Sequence, residues 1–237
     1  MDYLSHALRW FAELLWPARC IGCGTLGTDL CGVCLAKLKP LTSHRCLVCH
    51  RNNTFGIPCQ RCRNYTYLDR VVAAGAMGGL LETAIYALKY RALQQLAVPL
   101  GDWAAGVIGL RRGTAVMFGT NPLLVPVPLH PSRLRERDYN QAALLARRLA
   151  IASAMPLEES ALARVRHTGS QVRTHSRVER LDNMKGAFSV AHPETVADRD
   201  IVLVDDVCTT GATLEDCARA LKEAGARSVS AIVLARG

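Results

Sequence analysis

Ile201-Val202-Leu203-Val204-Asp205-Asp206-Val207-Cys208-Thr209-Thr210-Gly211-Ala212-Thr213 is the stretch on which the fold turns. An apolar run rich in β-branched residues, Ile201 to Val204, reads as a short buried strand. Two adjacent acids follow, then a hydroxyl-rich loop with one glycine. A helical pattern from Thr213 to Ala224 comes next, with Gly225 as its C-cap. Free backbone N–H groups and the helix dipole at such an N-terminus favour an anion, and threonine hydroxyls add hydrogen bonds. Asp205 and Asp206 stand at the carboxyl end of the strand, where open α/β sheets place their ligands. Carboxylates beside an anion cradle repel the ligand unless they bind hydroxyls or a hard cation. A phosphorylated sugar with Mg²⁺ satisfies both conditions. The loop is not a Walker A loop, because the Gly-Lys-Thr ending is missing.

Outward from this stretch, strand and helix patterns alternate. Val71 to Met77 reads as a buried strand, Leu80 to Tyr90 as a helix and Leu93 to Ile108 as another. Leu123 to Pro128 reads as a strand ending at a rigid turn. A helix follows from Asn140 to Ala152 with Asn140 as N-cap, and Val229 to Leu234 form a closing strand. The alternation predicts right-handed βαβ units: an α/β domain with a mostly parallel sheet flanked by helices.

Eight of the ten cysteines fall between Cys20 and Cys62, all in C-x-x-C pairs: Cys20/Cys23, Cys31/Cys34, Cys46/Cys49 and Cys59/Cys62. Two such pairs around one ion make a tetrahedral thiolate site, so eight thiolates make two structural zinc sites with no open coordination position. A disulfide framework would need an oxidising compartment, and iron–sulfur ligation is the minor alternative. The pairs can share metals with their sequence neighbours or interleave. The module is too short to bury much core, so metal binding should supply most of its folding energy. Arg45, Arg51, Arg61 and Arg63 surround the second group, either compensating the dianionic sites or contacting nucleic-acid phosphates. His44 and His50 read as loop residues. Three regions result: an N-terminal amphipathic helix (1–18, from Leu4, Leu8, Phe11 and Leu15), a cysteine-rich double zinc-ribbon module (19–68) and the α/β domain (69–237).

The 237 residues are 50% apolar and 21% charged, which excludes global disorder. No apolar run approaches the ~20 residues of a membrane span. Asp2 and Arg9 disfavour a secretory signal. The expected location is cytoplasmic; peripheral attachment to the inner face of the membrane through the first helix is the alternative. The formal charge of +9 overstates the basicity. Each loaded zinc site has a net charge of −2, and both together lower +9 to +5.

Asp205 to Thr213 resembles the phosphoribosyl-pyrophosphate (PRPP) motif of type I phosphoribosyltransferases. Val125-Pro126-Val127-Pro128-Leu129-His130-Pro131-Ser132-Arg133 is similar to the pyrophosphate loop of the glutamine amidophosphoribosyltransferase branch. Arg135 to Ala142, Arg164 to Thr168, Gln171, Glu179-Arg180, Asn183 and Gly186-Ala187-Phe188 are similar to the ComF (ComFC/GntX) family. That family also joins a cysteine-rich zinc module to a phosphoribosyltransferase-like domain. The pattern leads one to expect glycine where Asp138 stands, and the stretch from Gln171 to Glu179 is about one residue long for it.

The resemblance implies that Asp205 and Asp206 hold ribose hydroxyls and that Thr209, Thr210, Gly211, Ala212 and Thr213 cradle the 5′-phosphate. Pro128, Ser132, Arg133 and Lys89 would then meet pyrophosphate, with Mg²⁺ bound mostly through substrate. Lys89 is otherwise a partner for the C-terminal dipole of its helix. Arg164 to Arg180 would form a basic lid in which Arg166 acts on departing pyrophosphate, or else a basic surface loop. Cys208 and Cys217 read as packing residues. Three classes are implied: a phosphoribosyltransferase of unknown acceptor serving DNA uptake, natural transformation or DNA utilisation; a non-catalytic single-stranded-DNA-binding module working with DNA-uptake machinery; and a PRPP-sensing regulator.

Overall fold

The computed structural model describes residues 17–53, 56–110, 115–166 and 186–237. Nearly all of the expected N-terminal helix lies outside them. Within the cysteine-rich region stand α1 (Gly32–Leu35), the two-residue strands β1 (His44–Arg45) and β2 (Asn52–Asn53), and a 3-10 turn over Gln60–Tyr65. Then come β3 (Arg70–Ala76), α2 (Gly79–Tyr90), α3 (Ala97–Ile108), β4 (Pro122–Pro126), α4 (Pro131–Arg137) and α5 (Gln141–Ser153). The chain continues through β5 (Leu162–Arg164), β6 (Phe188–Val190), α6 (Pro193–Val196), β7 (Asp200–Cys208), α7 (Ala212–Glu223) and β8 (Ser228–Arg236).

Four strands form one parallel sheet in the order β3-β8-β7-β4. Alternate residues of each strand point to opposite faces, and the core divides accordingly. Val72, Ala74, Leu124, Val202, Val204 and Ile232 pack under α2, α3 and α5. Val71, Leu123, Ile201, Leu203, Ala231 and Val233 pack under α7 on the other side. The strands therefore read as continuous apolar runs, as a sheet covered on both faces requires.

The zinc module does not sit apart from this core. Leu30, Leu38, Cys20 and Cys34 join the first face, while Leu47 and Leu68 join the second. The connection between the ribbons crosses the sheet edge, where Leu41 N–H donates to Ala74 O at 2.8 Å and Pro40 bridges Gly75. Edge strand β3 is thereby paired and covered, which removes a template for aggregation. The opposite edge is covered by residues 156–158, with Leu124 donating to Pro156 O and Glu158 donating to Leu124 O, both at 2.9 Å.

Several sequence expectations need correction. β7 does not stop at Val204 but runs through both acids to Cys208, because β8 offers partners as far as Arg236. The helix expected from Leu93 starts as a 3-10 turn over Gln94–Leu96 and becomes α-helical only at Ala97. The antiparallel β5–β6 pair and α4 carry too short an apolar pattern to be read from sequence.

Gly56 marks how closely the second ribbon docks. Its φ is +68°, and a β-carbon there would stand 1.8 Å from Val71 O, which Gly56 faces across the Val71 N–H···O=C Gly56 bond of 3.0 Å. Gly56→Ala should cost about 2–4 kcal/mol from left-handed strain and overpacking together. Thermal unfolding of the zinc-loaded chain would show this as a drop of several degrees.

Candidate functional site

All four parallel strands end at one edge of the sheet, and the candidate residues gather there. At the opposite end of β7, Asp200 shows what a saturated buried carboxylate looks like. It accepts from Thr120 N at 2.9 Å, Asn121 N at 3.1 Å and Ser228 Oγ at 2.7 Å, with Arg227 3.5 Å away. Burial would raise its pKa, but these donors outweigh burial and hold the carboxyl below the usual range.

Asp205 and Asp206 are provided for differently. Asp206 Oδ1 pairs with Lys89 Nζ at 2.9 Å, while Oδ2 is buried and has no hydrogen-bond partner among the described residues. A buried acceptor left in this state costs roughly 1–3 kcal/mol. Asp205 Oδ1 accepts from the Asp206 amide at 2.8 Å. Burial, then the neighbouring Asp206 charge, push the Asp205 carboxyl up to about 7, against the pull of Lys89, that amide and Arg164. Lys89 is therefore more than a helix-terminal cation: it partly neutralises an acid pair.

The phosphate-type loop follows directly. Gly211 takes the left-handed conformation (φ +79°) as the N-cap residue of α7, and no side chain caps the helix there. The N-cap position therefore offers no side chain to the first-turn amides of α7. The second ribbon braces this loop. A β-carbon on Gly211 would come within 3.1 Å of Leu47, which lies inside the Cys46/Cys49 knuckle. Glu215, in the first turn of α7, accepts from Thr66 Oγ1 at 2.8 Å and Tyr67 N at 2.6 Å.

After β4, the segment expected to hold pyrophosphate turns into α4. His130 caps that helix, its Nδ1 accepting from Ser132 N at 3.3 Å and lying 2.8 Å from Ser132 Oγ. Arg133 meets Glu136 at 3.1 Å. Asn140 caps α5 by accepting from Ala142 N at 3.0 Å and donates to Val127 O at 3.0 Å, fixing the base of the loop. Asp138 sits at φ +61° as the C-cap of α4, which explains the expectation of glycine at that position. Asp138 lines one cavity together with Pro128 and Leu129, so its carboxylate borders the segment expected to hold pyrophosphate.

The segment 167–185, with Gln171, Glu179-Arg180 and most of the expected lid, lies outside the described residues. Of its flank, Arg166 is exposed, whereas Arg164 is half-buried over the Phe188 ring at 5.4 Å. Burial lowers the Arg164 pKa; Cys217 and Asp205 oppose the shift and Arg133 adds to it. Arg164, expected at the start of the basic lid, is thus within electrostatic reach of both Asp205 and Arg133. Asp216 was missed altogether. Buried on α7, it accepts from the amides of Gly186, Ala187 and Phe188 at 3.0, 2.8 and 3.3 Å and pairs with Arg219, tying β6 to the helix behind the loop. Its single sequence signal is an acid one turn into a phosphate-loop helix. Cys208 and Cys217 are buried packing residues.

The cysteines resolve into two groups, Cys20/Cys23/Cys31/Cys34 and Cys46/Cys49/Cys59/Cys62, each with all sulfurs within 4.8 Å of one another. Pairing is therefore between sequence neighbours, not interleaved. Cys23 to Cys31 and Cys49 to Cys59 are both 3.6 Å, close to the ~3.8 Å edge of a tetrahedron with Zn–S near 2.3 Å. Within each group the thiols shift in opposite directions. Burial is outweighed by backbone amides at Cys20 and Cys46, which are brought down to about 6. Burial at Cys34 and the Cys59 thiol at Cys62 push those two up to about 12, as four sulfurs crowded together without their cation would. This donor chemistry fits Zn²⁺.

A parallel sheet with this edge, joined to two four-thiol knuckles, defines a phosphoribosyltransferase-like domain carrying a double zinc ribbon. Family models agree: residues 140–237 match the phosphoribosyl transferase domain and 11–63 the double zinc ribbon domain. Competence protein F of Haemophilus influenzae is 31% identical over 223 residues, covering 90% of this chain and 84% of the relative. Competence protein ComFC of Bacillus subtilis is 28% identical (87% and 84% covered), and DNA utilization protein YhgH of Salmonella typhimurium is 30% identical (87% and 90%). The chain belongs to the ComF family of competence and DNA-utilisation proteins. Among the described residues, no helix is long and apolar enough to cross a membrane.

Because the Asp205 pKa is raised from 3.8 to about 7, the folded protein holds a proton that the unfolded chain releases. That contribution to stability is complete below about pH 4 and is lost as pH rises through about 7. Denaturant midpoints measured from pH 5 to 8 should fall more in wild type than in Asp205→Asn, and Lys89→Met should move the wild-type midpoint to higher pH. Separately, Asp138→Gly should stabilise the chain by about 1 kcal/mol or less, through relief of left-handed strain, and raise the melting temperature.

Proposed function

We propose that this chain binds PRPP with Mg²⁺ at the β7–α7 turn and acts as a phosphoribosyltransferase-type protein in DNA uptake, natural transformation or DNA use. The observation that carries the reading is Asp206: a buried carboxylate with one oxygen on Lys89 and the other without a partner, beside a helix that has no side-chain cap. A ribose hydroxyl would satisfy the second oxygen, and the 5′-phosphate would take the amides of Thr209 to Thr213. The names of the relatives support the biological role.

In the proposed reaction the acceptor's lone pair forms a bond to ribose C1, the C1–O bond breaks, and pyrophosphate leaves with the bonding electrons. Asp205 and Asp206 lie where Mg²⁺ could be held alongside the substrate, and the ion would supply charge neutralisation for pyrophosphate. Asp205 and Asp206 orient the ribose. Lys89, Ser132, Arg133 and the backbone at Pro128 face the departing pyrophosphate, and Arg166 adds charge from the flank of the lid. Cysteines kept as thiolates rather than disulfides favour a reducing compartment and support a cytoplasmic location. Exposed Arg45, Arg51, Arg61 and Arg63 on the second ribbon favour a second reading, in which the protein handles single-stranded DNA without transfer.

Calorimetric titration of Mg²⁺-PRPP into the zinc-loaded chain tests the proposal. Saturable binding should weaken about 100-fold or vanish in Asp205→Asn/Asp206→Asn, as expected for two lost charge-assisted contacts. A folded wild type that takes up no PRPP would leave only the DNA-handling reading.

A further inference from the structure

Helix α2 turns Lys89 toward the acid pair and two tyrosines toward water. Tyr86 and Tyr90 are 54% and 57% exposed, with ring centroids 4.8 Å apart and planes tilted by 44°. Arg91 Cζ lies 6.0 Å from the centre of the Tyr86 ring, and Arg137 Cζ lies 4.8 Å from that of Tyr90. Arg137 comes from a different helix. It is the last residue of α4, whose first turn holds Ser132 and Arg133, and its Nη1 also donates to Gln141 Oε1 at 3.0 Å. The cluster thus joins the C-terminal ends of two helices that each carry a residue of the proposed site.

A tyrosine pair spaced i, i+4 stabilises its own helix by only a few tenths of a kcal/mol. That role would not need rings left more than half exposed, nor a guanidinium brought over one of them from a second helix. Large exposed aromatic groups assembled with cations indicate a binding surface. Aromatic faces beside guanidinium groups match flat, uncharged bases linked by anionic phosphates, the rings taking bases without sequence preference and the arginines taking phosphates. A duplex keeps base faces inside its stack, so the strand must be single. An acidic peptide would use the arginines but leave the rings idle.

We infer that Tyr86, Tyr90, Arg91 and Arg137 form a docking platform for single-stranded nucleic acid beside the carboxyl end of β7. The platform stands on the cluster alone; that it delivers a strand to the site as acceptor rests on the PRPP reading, since Tyr90 adjoins Lys89 in the chain.

The test uses the zinc-loaded full chain, a labelled deoxythymidine oligomer of about 20 nucleotides and an abasic strand of equal length, read by fluorescence anisotropy. Wild type should prefer the base-bearing strand. Tyr86→Ala/Tyr90→Ala should bind it about tenfold or more weakly and lose that preference, while Tyr86→Phe/Tyr90→Phe keeps both. Arg137→Gln should reduce the salt slope by about one. Oligomer binding unchanged in the alanine pair overturns the inference, as does binding lost only in Arg61→Gln/Arg63→Gln, or a wild type that binds neither strand. Should the alanine pair fail to fold, the phenylalanine pair and Arg137→Gln still decide: unchanged salt slope with no base preference sinks the platform. PRPP calorimetry on the same proteins separates the two claims, because the alanine pair should retain PRPP while losing the oligomer, and a PRPP failure leaves the platform standing.

Discussion

Two carboxylates at the end of a strand buried on both faces impose the constraint that organises this molecule. β7 is the strand between β8 and β4, apolar from Ile201 to Val204, and then it presents Asp205 and Asp206 in a poorly solvated place. Two like charges side by side there are mutually unfavourable, and the structure answers in two ways: Lys89 pairs with one acid, and the other has its pKa raised. Asp200, on the same strand, has every donor it needs. The contrast within one strand separates an acid saturated by its donors from a pair that is not.

The zinc module is part of this solution. Its two ribbons lie on opposite faces of the sheet, and the chain between them pairs with edge strand β3. The second ribbon reaches the site itself, where Leu47 packs against Gly211 and residues 66–67 bind Glu215. Metal binding supplies local folding energy that so short a segment could not obtain from its own core. Because that segment supports the phosphate-type loop, its metal and the shape of the site are mechanically linked.

Much of this was legible along the chain. The run from Ile201 to Thr213 announced a strand, an acid pair and the start of a helix, and the C-x-x-C repeats announced two metal centres. Asn140 was readable as a cap because capping chemistry is local. The β5–β6 pair was not, since strands of three residues carry no period and are held by their partners. Nor was Asp216, whose role depends on amides about thirty residues earlier in the chain.

The sequence by itself determined the α/β class, the metal chemistry and the place of the acid pair, because apolar periodicity, thiol spacing and loop composition are properties of neighbouring residues. Tertiary structure alone decided which cysteines share a metal, that Lys89 faces Asp206 rather than its own helix end, and that Arg137 meets Tyr90. Each of these joins residues far apart in the chain, and their encounter is set by how helices and ribbons pack on the sheet.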